Sequence, residues 1–281
     1  MVKRKWSMFR YDYVNAVSKQ WWVYLLLLIV TWISCNGTYQ YGLSMQRLHI
    51  LQEMPGVYDL YLMLFQGVSP FQPFIGDSFV VPLHWITIGL LIVYTVSGYA
   101  GEDLRGTGQI AMLFSRERKT WIVGKMVWVI LQILMDFVFI FIGCFSYSAF
   151  RGLPVNLTPN QNFWQNAYSD FAGKDYEIYL VTTVLLPILA FISIGAVEML
   201  LSVLFQPSVS MFTASLILVV SAFGKGVFLL GNHSMWIRMS NYSEDGLDYL
   251  TCMLLDGLIL IGTFSLFYTY VCRKDLLNLE R

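Results

Sequence analysis

Six apolar stretches alternate with polar pieces along the chain. They run from about Trp21 to Thr38, Phe79 to Tyr99, Trp121 to Ser146, Ile178 to Phe205, Val209 to Leu230 and Leu250 to Val271. Each approaches the ~20 residues that a helix needs to cross a ~30 Å hydrocarbon core. In that core only helices or closed barrels satisfy the backbone. Runs this continuous are helices rather than the alternating ~10-residue strands of a barrel. The pattern therefore predicts an all-α polytopic membrane protein with six transmembrane helices, forming one transmembrane domain over residues 1–281. Ahead of the first run, Trp6, Phe9, Tyr13 and Val17 recur at helical spacing among Lys3, Arg4, Lys5, Arg10 and Lys19. This predicts an N-terminal amphipathic interfacial helix over 3–19. Gln206-Pro207-Ser208 reads as a tight turn, and Pro187 is expected to kink the fourth span.

Composition sharpens this picture. The chain is 57% hydrophobic and 13% charged, about half the ~25% charge of a soluble domain. With the N-terminus inside, thirteen of the eighteen Lys and Arg fall on the cytoplasmic side. Arg47, Arg151, Lys174 and Arg238 fall on the other, and Lys225 lies within the fifth run. That bias places both termini in the cytoplasm. Trp21, Trp22 and Trp121 are expected at the inner boundary; Tyr39, Tyr41, His84 and Trp85 are expected at or near the outer one. A formal net charge of zero gives no reason to expect a nucleic-acid partner. Cys35, Cys144, Cys252 and Cys272 lack metal-ligand spacing and read as packed or lipid-facing thiols.

Four ionisable residues lie within the apolar runs: Asp136, Glu198, Lys225 and Asp256. Such residues are costly in hydrocarbon and are candidate functional positions. Counting helical rise puts Asp136, Lys225 and Asp256 at one level in the outer half. Lys225 and Asp256, on successive antiparallel segments, form a candidate ion pair. Glu198, near the inner end of its span, is expected to reach the cytoplasmic interface. No H-E-x-x-H, G-x-S-x-G or Cys/His cluster is present. Gly124-Lys125 and Gly224-Lys225 lack the first Gly and the Ser/Thr of a phosphate-binding loop. The chain is therefore expected to be no enzyme and to bind no cofactor of its own.

One charged island separates the second and third runs: Gly101 to Lys125, reading GEDLRGTGQIAMLFSRERKTWIVGK. Glu102, Arg105, Gly106 and Thr107, then Leu113, Ser115 and Arg116, then Gly124 and Lys125 resemble the loop after span two in the permease subunits of type-2 ABC exporters. Asp103 stands where that family often has Arg, and Phe114 near its usual Pro. The tail Arg273-Lys274-Asp275-Leu276 is similar to the family's ending. The resemblance implies a second permease subunit and separate ATPase subunits, which would carry ATP and Mg. It also implies that the coupling loop 101–120 docks on the ATPase, with Glu102 to about Phe114 as the docking helix and Ser115 to Lys125 as the turn into span three, and with Glu102, Asp103, Arg105, Gly106, Thr107, Ser115 and Arg116 at the contact. The implied function is outward transport of a hydrophobic or amphipathic substrate, such as a peptide or drug, across a bacterial cell membrane. Two other readings stand beside it: a membrane anchor, chaperone or sensor that uses the loop only to hold a partner, and an ion-coupled carrier using Asp136, Lys225 and Asp256.

Overall fold

The computed structural model describes residues 2–51, 53–71, 80–115, 118–167, 179–243 and 245–273, with the side chains of 2–13, 15–19, 111, 113–115 and 165–167 outside that description. Within it the fold is all-α. The helices are α1 (Val2–Arg47), α2 (Val57–Leu64), α3 (Leu83–Val96), α4 (Tyr99–Arg105), α5 (Thr107–Ser115), α6 (Arg118–Arg151), α7 (Gln161–Ala167), α8 (Leu186–Leu204), α9 (Pro207–Phe223), α10 (Leu230–His233) and α11 (Tyr249–Arg273). Among the described residues five helices are long and apolar enough to cross a membrane: Gln20–Arg47, Leu83–Arg105, Arg118–Arg151, Val181–Leu204 and Tyr249–Arg273. The expected fifth span is shorter. α9 has 17 residues and stops at Phe223, about 25 Å of helix.

The long helices alternate in direction. On α1 and α6, Tyr24 accepts from Gln132, Thr31 faces Gly143, and Asn36 accepts from Tyr147, so both indices rise together. α8 runs against α6, pairing Phe137 with Phe191 and Ile133 with Gly195. α9 runs against α3, pairing Gly98 with Pro207 and Gly89 with Leu218. α11 runs against α6, pairing Trp121 with Phe267. Connections therefore collect at two ends. One holds the elbow residues 97–115, the Gln206 turn and the end of α11; the other holds the ends of α1 and α6, the start of α3 and the segment that follows α9.

The first helix differs from expectation. α1 is one helix of 46 residues, about 69 Å long, with no break between the expected interfacial helix and the first span. The fourth span also begins differently. A π-helical turn, Val181–Leu185, precedes α8, and Pro187 sits in the first turn of α8. Pro187 has no N–H to offer the carbonyl four residues earlier. That carbonyl belongs to Thr183, and the Tyr61 hydroxyl donates to it at 3.1 Å. The Tyr58 hydroxyl and Thr183 Oγ1 share a further bond of 2.6 Å. Asp59 fixes α2 from its other side. Its carboxylate accepts from the Gly56 and Asn160 N–H groups and from the Trp164 indole at 2.7–2.9 Å. Burial pushes the Asp59 carboxyl up from its ordinary range, and these three donors pull it partly back.

The segment after α9 corrects the expected layout most. The runs leave 231–249 as an outer connection between spans five and six, whereas residues 230–236 and 238–239 are buried in the bundle. The Trp85 indole, expected at the outer boundary, is 1% exposed and donates to Ser234 Oγ of this plug. The Trp236 indole donates to Leu62 O at 2.8 Å. Arg238, 1% exposed, donates to the carbonyls of Ser221, Ala222 and Gly224 at the end of α9, to Val68 O and to Asn232 Oδ1. It supplies the partners that the last carbonyls of α9 lack.

The candidate Lys225–Asp256 pair is replaced by two other contacts. α9 ends before Lys225, which is exposed and donates to Asp245 O. Asp256 Oδ1 instead meets His233 Nδ1 of the plug at 3.0 Å, and both side chains are fully buried. His233 Nε2 meets Val227 O at 2.7 Å. The expected common level holds for Asp136 and Asp256, through Phe137 beside Phe191 and Ser193 bonded to Asp256 O. Lys225 lies beyond it, past the end of α9.

Two outcomes check the plug. Arg238→Leu orphans several buried carbonyls, each costing ~1–3 kcal/mol, so the purified chain should melt well below wild type, with Arg238→Lys in between. In a double-mutant cycle His233→Ala and Asp256→Asn should couple, whereas Lys225→Met and Asp256→Asn should be additive.

Candidate coupling elbow

The charged island folds as an elbow of two short helices between long ones. α3 stops at Val96, and Gly98 takes φ +71°, a left-handed conformation that side chains resist. α4 then carries Glu102, Asp103 and Arg105; the chain turns at Gly106, α5 follows, and α6 starts at Arg118. The expected single docking helix is thus bent. The turn expected over Ser115 to Lys125 is already helix α6 from Arg118 onward.

Asp103 lies at its centre. Its Oδ2 accepts from Lys125 Nζ at 2.8 Å and from the Trp121 indole at 2.8 Å. Its Oδ1 accepts from the Thr107 hydroxyl at 3.2 Å. Lys125 is fully buried, with its ammonium 4.2 Å from the Tyr99 ring centre and 5.4 Å from that of Trp121. A charge pair out of water is stable only when both ions are fully hydrogen-bonded. Here three donors on α5 and α6 converge on one carboxylate of α4. The pair therefore staples the elbow to the start of α6. Trp121, expected in the interfacial belt, is 2% exposed because its N–H serves this staple.

Two arginines tie the same elbow to other helices. Arg105 donates to Ser202 O and Phe205 O, where α8 ends. Arg118 donates to Cys272 O at 3.0 Å, in the last turn of α11. Cations at helix C-termini satisfy orphan carbonyls and complement the helix dipole. Gly101 lies directly on the Ser202 carbonyl, leaving no room for a Cβ. α4 is thus locked against α8 by backbone contact as well as by Arg105.

The sequence-expected residues divide accordingly. Asp103 and Lys125 face inward, Thr107 reaches Asp103 from the exposed side, and Arg105 is exposed yet committed to α8. Glu102, Thr107 and Lys119 are exposed, as is Ile110 at 54%. The Ser115 side chain, Arg116 and the tail beyond Arg273 lie outside the described residues. Asp136 and Glu198 are both fully buried. The Thr95 hydroxyl donates to Asp136 Oδ2 at 2.6 Å, while Asp136 Oδ1 and both Glu198 oxygens have no hydrogen-bond partner among the described residues. Glu198 therefore stays inside the bundle, with Ser97 the polar side chain that faces it, outside hydrogen-bonding geometry. Sequence reasoning missed the roles of Trp121, Arg118 and His233. Trp121 and Lys125, four residues apart on one helical face, were the available signal for the first.

Long alternating apolar helices with buried polar contacts between them define a multi-pass membrane protein. Residues 61–277 match a family described as protein of unknown function (DUF2705), and the chain belongs to that family. No curated protein and no solved structure matches it.

The staple makes a sharp prediction. Asp103→Ala leaves a buried ammonium without its counter-ion, a loss of roughly 3–5 kcal/mol. Asp103→Leu combined with Lys125→Met should recover much of it. Thermal melts of the single and double variants read this directly; equal melting of all of them would remove the staple from the account.

Proposed function

We propose that this chain is the membrane-spanning permease subunit of an ATP-driven exporter, powered by a separate ATPase that docks on the elbow. The observation that supports this most is the elbow's construction. One side is bonded to the ends of α6, α8 and α11; the other exposes Glu102, Thr107, Ile110 and Lys119. A push on the exposed side reaches three helices through short hydrogen bonds rather than through a slack linker. A rigid element shared by several helices is what transmits a partner's motion into helix displacement. The charge-mixed surface with one apolar protrusion suits a protein groove.

In this reading both termini are cytoplasmic and α9 is the sixth crossing. Its ~25 Å falls short of a ~30 Å core, and the buried segment 230–239 fills the remaining depth. A second permease copy completes the pathway. ATP and Mg are bound by the ATPase partner, and a hydrophobic or amphipathic peptide or drug is the substrate class.

A second reading, ion-coupled transport, rests on the unpartnered oxygens of Asp136 and Glu198 inside the bundle. Purification of the full chain from membranes, with mass spectrometry of bound proteins and an ATPase assay, separates the two. Copurification of a protein with a phosphate-binding loop is expected. Glu102→Lys and Ile110→Asp should each reduce its recovery about tenfold, the effect of ~1.4 kcal/mol, with the chain's own level unchanged. Transport driven by an ion gradient without ATP, and no ATPase in the complex, would overturn the exporter reading.

A further inference from the structure

We infer that a groove between α8 and α11, at the elbow end of the bundle, binds an anionic phospholipid through one acyl chain and the headgroup phosphate. α11 is the least enclosed of the long apolar helices. Only 22% of its most apolar stretch is buried, against 39–67% in the other four. A groove of about 460 Å³ opens beside it, lined by Leu200, Leu204, Leu266, Thr269, Tyr270 and Arg273. Leu200, which is buried, lies at its floor between the exposed Leu204 and Leu266, and the single charged lining residue is Arg273, at the end of α11.

Depth places that end, the groove's mouth, among headgroups. α11 has 25 residues, about 37 Å of helix, so it outruns a ~30 Å core. Trp121 stacked on Phe267, and Arg118 bonded to Cys272 O, fix this end of α11 at the level of the elbow. Tyr268 and Tyr270 belong to the aromatic belt expected there. Arg273 is exposed, and Arg118 and the exposed Lys119 add positive charge nearby. A basic pocket between helices at this depth selects an anionic headgroup. Free phosphate would satisfy the mouth and leave the leucine floor bare. A zwitterionic lipid would fill the floor without a net charge for Arg273.

The site stands apart from the ATPase reading, because it needs only insertion of the chain. It does touch the elbow, since Leu204 in its wall precedes Phe205, whose carbonyl Arg105 holds.

The test is native mass spectrometry of the purified full chain, titrated separately with phosphatidylglycerol, phosphatidylcholine of the same chains, and inorganic phosphate. Wild type should bind phosphatidylglycerol about fivefold more tightly than phosphatidylcholine, the effect of one cation near a membrane surface. Arg273→Gln should abolish that preference. Leu266→Trp, at a position 61% exposed and so tolerant of bulk, should weaken both lipids by crowding the groove from its side. Inorganic phosphate alone should not bind. The site is overturned if wild type shows no lipid preference, if Arg273→Gln keeps it, if Leu266→Trp leaves lipid binding unchanged, or if phosphate binds as well as the lipid.

Discussion

A helix that ends inside or beside hydrocarbon leaves carbonyls that water is not there to satisfy, and much of this structure answers that constraint. Arg105 closes the end of α8, Arg118 the last turn of α11, and Arg238 the end of α9. Each guanidinium comes from a different part of the chain from the helix it caps. The requirement to finish helices thereby becomes tertiary structure, joining the elbow to two helices and the plug to a third. Pro187 produces a smaller version of the same demand, met by Tyr61 from α2.

The polar groups between helices follow the same logic with neutral partners. Tyr24 with Gln132, Trp32 with Ser146, and Ser34 with His84 link α1 to α6 and α3. Each such bond contributes on the order of 0.6 kcal/mol in a membrane setting. Their larger effect is on register, since a helix slid by one turn would leave each of these groups unpaired in an apolar medium. The buried Asp103–Lys125 pair acts at higher stakes, because half of it is worse than none.

Most of the helical layout was legible in the sequence, because hydrocarbon thickness imposes a length and leaves few alternatives. Five of the six expected spans appear as long apolar helices near their expected places, the first of them as part of α1, which also takes in the expected interfacial helix. α9 escaped because Gly224 to Leu230 is as apolar as a span, and only burial of the following segment reveals that the helix has already stopped. The island between α3 and α6 was legible as something unusual, but its inner and outer faces were not. Asp103, a departure from the exporter loop that this island resembles, organises Thr107, Trp121 and Lys125. Pairings such as His233 with Asp256 depend on how a loop folds back, which no helical period encodes.

The partnership of α1 with α6 sets an order of events during synthesis. Tyr24 and Gln132, or Cys35 and Cys144 at 3.9 Å, are more than a hundred residues apart. A ribosome adding ~5–20 residues per second delivers α6 some 5–20 s after α1. Through that interval α1 has none of its longest packed face covered. Positions on that face, Thr31 and Cys35 among them, must rest against lipid or a chaperoning surface until the third long helix arrives. The first helix to be made thus waits for the third before its main face is covered.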